Sequence, residues 1–251
     1  MKSKKSVKNS KTQSKSRKEK NKDSKSVKEI YQSSLDYLKK SKQFIWIAVG
    51  IFFFFFLLGL LVPAPETIQQ QIFDLIRELT EKVKDLSGIE LIFYIFFNNL
   101  SASLFGLVFG VFFGVFSIIS SVSNGYVLGF VSALSISAEG VGSLWKILPH
   151  GIFELPAIFI SLGLGLSLGF PFVYRYFKYY FNKNNGLAVI FGILFLLPAV
   201  IITSWIDKKL RDYQFRDFKY RFNHALSVFF FVVVPLLIIA AIIEGLLISF
   251  L

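Results

Sequence analysis

The chain has 251 residues, 54% of them hydrophobic, with 31 Phe, one Met and no Cys. Several apolar runs reach or approach the roughly 20 residues that a helix needs to cross a bilayer. A soluble core does not need such uninterrupted runs, so we expect an integral membrane protein. The lack of cysteine excludes disulfides and thiolate chemistry.

The formal net charge of +12 comes almost entirely from the N-terminal segment. Residues 1–43 hold 15 Lys and Arg against four Asp and Glu, whereas the remainder holds 13 against 12. Residues 1–26 have almost no apolar side chains, so we predict that they are disordered. Residues 27–42 carry apolar side chains at helical spacing among lysines, which predicts an amphipathic helix on the membrane surface.

This basic tail over residues 1–43 is expected to be cytoplasmic. One interpretation is attraction to anionic lipid, at about 1 kcal/mol per basic residue near the surface. The other is a topology signal without a binding role. Nucleic acid is disfavoured as a partner because the tail has few aromatic or Arg side chains to stack on bases, namely Arg17, Tyr31 and Tyr37.

The membrane domain is predicted over residues 44–251. Its first span, residues 44–62, follows a long polar segment without an evident cleavage site, so we expect it to be retained. Residues 66–88 then predict an extracytoplasmic amphipathic helix. Its apolar stripe could lie on the membrane, bind a partner helix or pack on the bundle, and packing on the bundle is the expectation.

The remaining spans are predicted from the lengths of the apolar runs. Residues 91–121 would form a helix of roughly 46 Å, longer than the bilayer core. Residues 126–136 are too few to cross, so we predict a re-entrant segment or half-helix there. Further spans are expected at about 150–173, 187–206 and 227–250. The predicted fold is an all-α polytopic membrane helical bundle with five transmembrane helices, or six if residues 126–136 also cross.

The distribution of Lys and Arg favours five spans. With a cytoplasmic N-terminus, five spans place 22 of these residues inside and six outside, whereas six spans place 18 inside and ten outside. Because basic residues accumulate on the cytoplasmic side, we predict a multi-pass protein of the cell membrane with its N-terminus in the cytoplasm.

Small residues at a spacing of four indicate close packing between the spans. This spacing lets membrane helices approach each other closely. The predicted helix-packing glycines are Gly106, Gly110, Gly114 and Gly129.

Several polar side chains lie at membrane depth. They are the Asn98–Asn99 pair, Asn124 before Gly125, His150 and Glu154 within PHGIFELP, and Glu244. Ionisable groups in lipid are costly, so they are expected to face the bundle interior, to pair or to line water. If a helix begins near Pro149, His150 and Glu154 share one of its faces.

Three interpretations of these residues remain open. They could form a polar cluster that fixes helix register, a site for a partner, lipid or ion, or a catalytic site. A metal hydrolase needs more ligands than one His and one Glu, and the HExxH pattern is absent. We therefore predict no enzymatic activity, no metal site and no cofactor.

Three stretches also resemble a known family. They are NNLSASLFGLVFGVFFGVFSIISSVSNGYVLGFVSA, LPHGIFELPAIFISLGLGLSLG and LLIIAAIIEGLLISFL. In this order, over residues 91–251, they resemble the blocks of the stage II sporulation protein M family, and PHG-x-x-ELPA is the most specific element. The motif positions that the resemblance implies are Asn98, Asn99, Asn124, Gly125, Pro149, His150, Gly151, Glu154, Leu155, Pro156 and Glu244.

The resemblance implies a multi-span membrane protein without known catalytic activity. In endospore formers, the namesake is a membrane anchor that brings a partner membrane protein and peptidoglycan hydrolases to the septum during engulfment. We therefore expect a non-enzymatic scaffold that recruits membrane or envelope proteins, with self-association left open. The alternative is a transport component in which His150, Glu154 and Glu244 line a proton- or ion-linked path.

Overall fold

The computed structural model describes residues 27–112, 114–146, 148–194 and 208–250, and these residues are helical apart from short connections. The predicted disordered segment 1–26 lies outside the described residues, as does residue 195 onward in the predicted span 187–206. The helices are α1 (Val27–Lys40), α2 (Lys42–Leu61), α3 (Glu66–Val83), α4 (Gly88–Phe109), α5 (Val115–Glu139), a 3-10 turn (Val141–Lys146), α6 (Leu148–Asn182), α7 (Gly186–Leu194), α8 (Lys208–Val228), a π-helical turn (Phe229–Val233) and α9 (Val234–Phe250).

The described residues contain five helical segments that are long and apolar enough to cross a membrane. This confirms the predicted class, an all-α polytopic membrane protein with five spans, although the five are not the predicted set. The segments are Lys42–Leu61, Gly88–Phe109, Val115–Glu139, Gly151–Asn182 and Arg216–Ile248.

The predicted re-entrant segment at residues 126–136 is wrong, and so is the single long span over residues 91–121. The chain turns between α4 and α5, where Gly114 adopts a φ of 77° that residues with a side chain rarely take. Residues 115–139 then form one helix of 25 residues. Its length, roughly 37 Å, is enough to cross the bilayer core.

The re-entrant segment was predicted because the polar and small residues of α5 are types that are common in loops. In the helix they are satisfied locally: Ser121 Oγ donates to the Ser117 carbonyl at 3.0 Å, and Asn124 Nδ2 donates to the Ser120 carbonyl at 2.8 Å. Gly125 is buried at the contact with α2. The small and polar residues therefore belong to a helix-packing surface and do not mark a chain reversal.

Residue contacts define the direction of each span. Helix α5 runs parallel to α2, because Gly125 lies against the carbonyl of Phe52 and Gly129 against that of Phe56. Helix α6 runs opposite to α2, with ring centroids 5.0 Å apart for Phe52 and Phe159 and 6.1 Å for Phe44 and Phe170.

The two remaining spans complete the alternation. Helix α4 runs with α6, since Ser161 Oγ donates to the Ser103 carbonyl at 2.9 Å and Gly110 lies against Gly165. The helix formed by α8 and α9 runs opposite to α6, because Arg221 Nη1 donates to the Ser167 carbonyl at 3.4 Å while the earlier Asp217 accepts from the later Arg175 at 2.7 Å. Successive spans therefore point in alternate directions.

The bundle thus has two chemically different ends. The end that holds α1, the C-terminal part of α6 and α8 is here called the basic end. The other, which holds α3, the 3-10 turn and the end of α9, is called the motif end. The sequence adjoining the basic end contains 24 of the Lys and Arg residues, and that adjoining the motif end contains four. This division of Lys and Arg residues is more unequal than the predicted 22 against six. The difference arises because α5 crosses the membrane, which places residues 174–186 at the basic end.

Helix α6 is the centre of the bundle. Its residues 161–169 are all buried, and they contact α2, α4, α5 and α9. Leu164 and Leu168 pack with Leu107 of α4 and with Val233 and Leu237 of the last span. Leu162 and Leu166 pack with Phe44 and Ala48 of α2.

The four predicted packing glycines lie at close approaches. A Cβ at Gly129 would overlap the Phe56 carbonyl oxygen, and one at Gly110 would overlap the Gly165 backbone. At Gly106 and Gly114 a Cβ would meet the Leu162 and Leu166 side chains. These glycines therefore set the distances of α4 and α5 from their neighbours.

We expect Gly129→Ala to destabilise the protein by about 1–3 kcal/mol, because the added methyl group has only backbone atoms of α2 to displace. Gly50→Ala is the matched control, since Gly50 lies on α2 with nothing within 4 Å of an added Cβ. Thermal unfolding in detergent measures the difference, and equal melting temperatures for the two variants would contradict the α2–α5 contact.

Candidate functional site

Four of the predicted polar residues line one cavity of about 360 Å³. Asn98 and Asn99 reach it from α4, Glu154 from α6 and Glu244 from α9. We call it the amide–carboxylate cavity. Leu91 and Ile95 of α4 are buried against Ala241, and this contact holds the α4 face with the asparagines beside the α9 turn with Glu244. The two asparagines and Glu244, which are about 145 positions apart in the sequence, are thereby brought together.

A second and larger cavity, of about 650 Å³, lies between α2, α5 and α6. We call it the phenylalanine cavity because Phe52, Phe53 and Phe56 of α2 form one wall. Leu128, Val131 and Ser132 of α5 form another wall, and Leu144 lies in the 3-10 turn. The motif residues that line this cavity are Asn124, Gly151, Glu154 and Leu155, together with the neighbouring Ile158.

Glu154 lines both cavities, so this residue lies between the polar cavity and the apolar one. Helix α6 begins at Leu148, which confirms a helix start beside Pro149. His150 therefore precedes Glu154 by one turn of the same helix, on the same face. The side chains of residues 145–150 lie outside the described part of the structure.

The other predicted positions are distributed around these cavities. Asn124 is separated from the Asn98–Asn99 pair and opens onto the phenylalanine cavity, while Gly125 faces the α2 backbone. Asn98 Nδ2 is 3.5 Å from Asn99 Oδ1, a weak hydrogen bond. Pro156 is exposed on α6, in its third turn. The motif residues thus form two groups joined at Glu154.

Sequence reasoning missed the residues of α3 that cover the amide–carboxylate cavity. Ile76, Leu79, Thr80 and Val83 line it from one side. The periodic apolar stripe of α3 was visible in the sequence and predicted packing on the bundle, which agrees with the contact of Ile72 with Phe130. Periodicity alone could not indicate which residues α3 would cover.

The site offers oxygen ligands and hydrogen-bonding groups without a recognisable metal centre. Within the residues that the structure describes, no group of three or more His, Cys, Asp or Glu side chains is arranged to hold a metal ion. Two carboxyl groups and two amides can donate and accept hydrogen bonds or share protons. The arrangement thus suits a polar contact between helices or proton exchange.

Comparison with protein families places this geometry in context. A family model described as stage II sporulation protein M matches residues 44–247. The chain belongs to the stage II sporulation protein M family. A search of curated proteins found no match, and neither did a search of solved structures.

The family match is longer than the sequence blocks implied. It begins at Phe44 and so includes α2 and α3, whereas the resemblance covered residues 91–251. This agrees with the structure, because α2 supplies the phenylalanine wall and α3 covers the amide–carboxylate cavity. The family region therefore contains every lining residue of the phenylalanine cavity and all lining residues of the amide–carboxylate cavity except Ile248.

The packing of α4 against α9 is directly testable, because the chain has no native cysteine. A Cβ built at Gly245 lies 3.4 Å from Cβ of Ile92, close to the roughly 3.5–4.5 Å found across disulfides. We expect Ile92→Cys combined with Gly245→Cys to form a disulfide in membranes treated with a mild oxidant. The gel shift should be absent from a control pair, Ile92→Cys with Gly50→Cys. Failure of the first pair would contradict the convergence of Asn98, Asn99 and Glu244.

Proposed function

We propose that this protein is a non-enzymatic scaffold of the cell membrane that holds a partner membrane protein through the phenylalanine cavity. The observation that carries the proposal is the composition of that cavity. It lies between three membrane spans, its walls are mainly phenylalanine and aliphatic side chains, and it contains the Asn124 amide and the Glu154 carboxyl group.

This composition fits a transmembrane helix that carries a polar side chain. Helices associate in lipid through close packing and interhelical hydrogen bonds, because apolar burial alone gives no advantage over lipid tails. The Phe53 side chain, 46% exposed, offers contact area, and the amide and carboxyl groups offer hydrogen bonds. A lipid tail would use the apolar walls alone.

The orientation that we propose places the basic end in the cytoplasm. Basic segments adjoining membrane spans favour the cytoplasmic side, and the division of 24 against four Lys and Arg residues supports this. The motif end, with α3 over the amide–carboxylate cavity, then faces the cell exterior. Recruitment of envelope proteins, which the family resemblance implies, would use this side.

Site-specific photo-crosslinking in native membranes tests the scaffold. A photoreactive residue at Leu128, which lines the phenylalanine cavity, should give an adduct that maps to a transmembrane segment of one partner. The same residue at Leu134 is the matched control, because Leu134 is an exposed leucine on another face of α5. Lipid adducts alone at Leu128, or the same protein adducts at both positions, would contradict the proposal.

The second candidate function, a proton- or ion-linked path, is favoured by one observation: Glu154 lines both cavities. A path could lead from the amide–carboxylate cavity past Glu154, with Glu244 and His150 as further titrating groups. Polar residues at membrane depth often mark such relays.

Glu154→Gln distinguishes the two functions, because glutamine keeps hydrogen bonding but cannot titrate. For a scaffold, we expect the Leu128 adduct to persist and reconstituted vesicles to hold a pH gradient as before. For a proton path, the wild-type protein should dissipate the gradient and Glu154→Gln should abolish that flux. Glu78→Gln, an exposed change on α3, is the control. Wild-type flux that is lost only in Glu154→Gln would replace the scaffold with the transport function.

A further inference from the structure

A third cavity, of about 460 Å³, lies at the basic end, away from both cavities of the motif end. Its volume is within the range of about 300–1,000 Å³ typical of small-molecule sites. We call it the basic-end pocket. It is formed by α1, α2, α6 and α8, and the residues on which its chemistry depends are Lys40, Phe44, Phe170, Arg175, Asp217 and Arg221.

The charge in this pocket is unbalanced. Asp217 Oδ2 accepts from Arg175 Nη2 at 2.7 Å and from Arg221 Nε at 2.6 Å, so two guanidinium groups share one carboxylate oxygen. Lys40 adds a third positive charge, and Asp217 is the one acidic residue among those that line the pocket. The lining therefore carries a net charge of +2.

The arginines are held in place by the surrounding helices. Their side chains are 18% and 26% exposed, and Arg221 Nη1 also donates to the Ser167 carbonyl at 3.4 Å. Ser167 Oγ is 3.2 Å from the Tyr37 hydroxyl. Burial raises the pKa of Tyr37, so this hydroxyl stays protonated. Partly buried arginines with fixed planar groups are suited to phosphate, which they bind through several N–H donors.

The pocket is also amphipathic along the direction of the spans. Lys40 ends α1 and lines the rim, while Phe44, in the first turn of α2, packs edge-on against Phe170 with ring centroids 6.1 Å apart. Pro171 adds a further apolar surface. A free anion would use only the charged part, whereas a phospholipid would use both.

We propose that the basic-end pocket binds the phosphate of an anionic phospholipid headgroup, with the acyl chains lying along Phe44 and Phe170. Basic pockets between membrane helices bind headgroups of this kind. The site differs from nonspecific attraction by the Lys-rich tail because Asp217 and Ser167 position its two arginines. It is also independent of the scaffold function.

Binding of short-chain phosphatidylglycerol to the full-length protein in neutral detergent tests the proposal. Lys40→Gln removes the positive charge at the rim and leaves the ion pairs of Asp217 in place. We expect it to weaken binding about fivefold, while Lys40→Arg keeps near wild-type affinity. Lys39→Gln is the matched control, since this exposed neighbour on α1 does not line the pocket. Native mass spectrometry at fixed ionic strength gives the affinities.

Two comparison probes identify the source of the phosphate. Phosphatidylcholine of the same chain length should bind more weakly than phosphatidylglycerol, and inorganic phosphate at the same concentration should not displace the lipid. If Lys40→Gln and Lys39→Gln weaken lipid binding equally, binding is due to general positive charge, and the proposal that the pocket is the binding site is overturned. Displacement by inorganic phosphate would overturn the lipid assignment in favour of a soluble anion.

Discussion

The structure depends on the direct contact between the backbones of α2 and α5. Gly125 and Gly129 lie against the carbonyls of Phe52 and Phe56, with no side chain between the two helices. This contact makes α5 parallel to α2, and α5 is one continuous helix of 25 residues. Once α5 crosses, α6 must run back and the last span must run forward again. The helix order then places PHGIFELP at the same end as Asn98, Asn99 and Glu244.

The sequence was sufficient for the class of fold and the identity of the polar residues, but not for their arrangement. Apolar run lengths predicted a helical membrane protein, because no other structure satisfies the backbone in lipid at that length. The run lengths gave the wrong helix boundaries between residues 110 and 125. The chain turns at Gly114, whereas Ser120, Asn124 and Gly125, which are typical turn residues, lie within a helix. Serine and asparagine can bond to carbonyls of their own helix. Single-sequence patterns do not distinguish that use from a loop.

The polar residues of the candidate site could be predicted from the sequence, but their division between two cavities could not. The cost of polar groups in lipid singled out Asn98, Glu154 and Glu244, which share one cavity. Asn124 belongs to a different cavity, which depends on where Phe52 and Phe56 of α2 lie. The position of these phenylalanines relative to α5 and α6 is set by tertiary packing, which cannot be deduced from a single sequence. The cover provided by α3 was missed for the same reason.

Glu154 connects the two cavities, and their unequal polarity bears on which function fits the bundle. A conducting path needs polar groups or water along its whole length. The amide–carboxylate cavity meets that requirement at the motif end. Beyond Glu154, however, the phenylalanine cavity offers Asn124 and Ser132 among aromatic and aliphatic walls. Such walls disfavour a hydrated ion but accommodate a packed helix. For this reason we propose that Glu154, at the boundary, specifies a partner and does not pass a proton along the bundle.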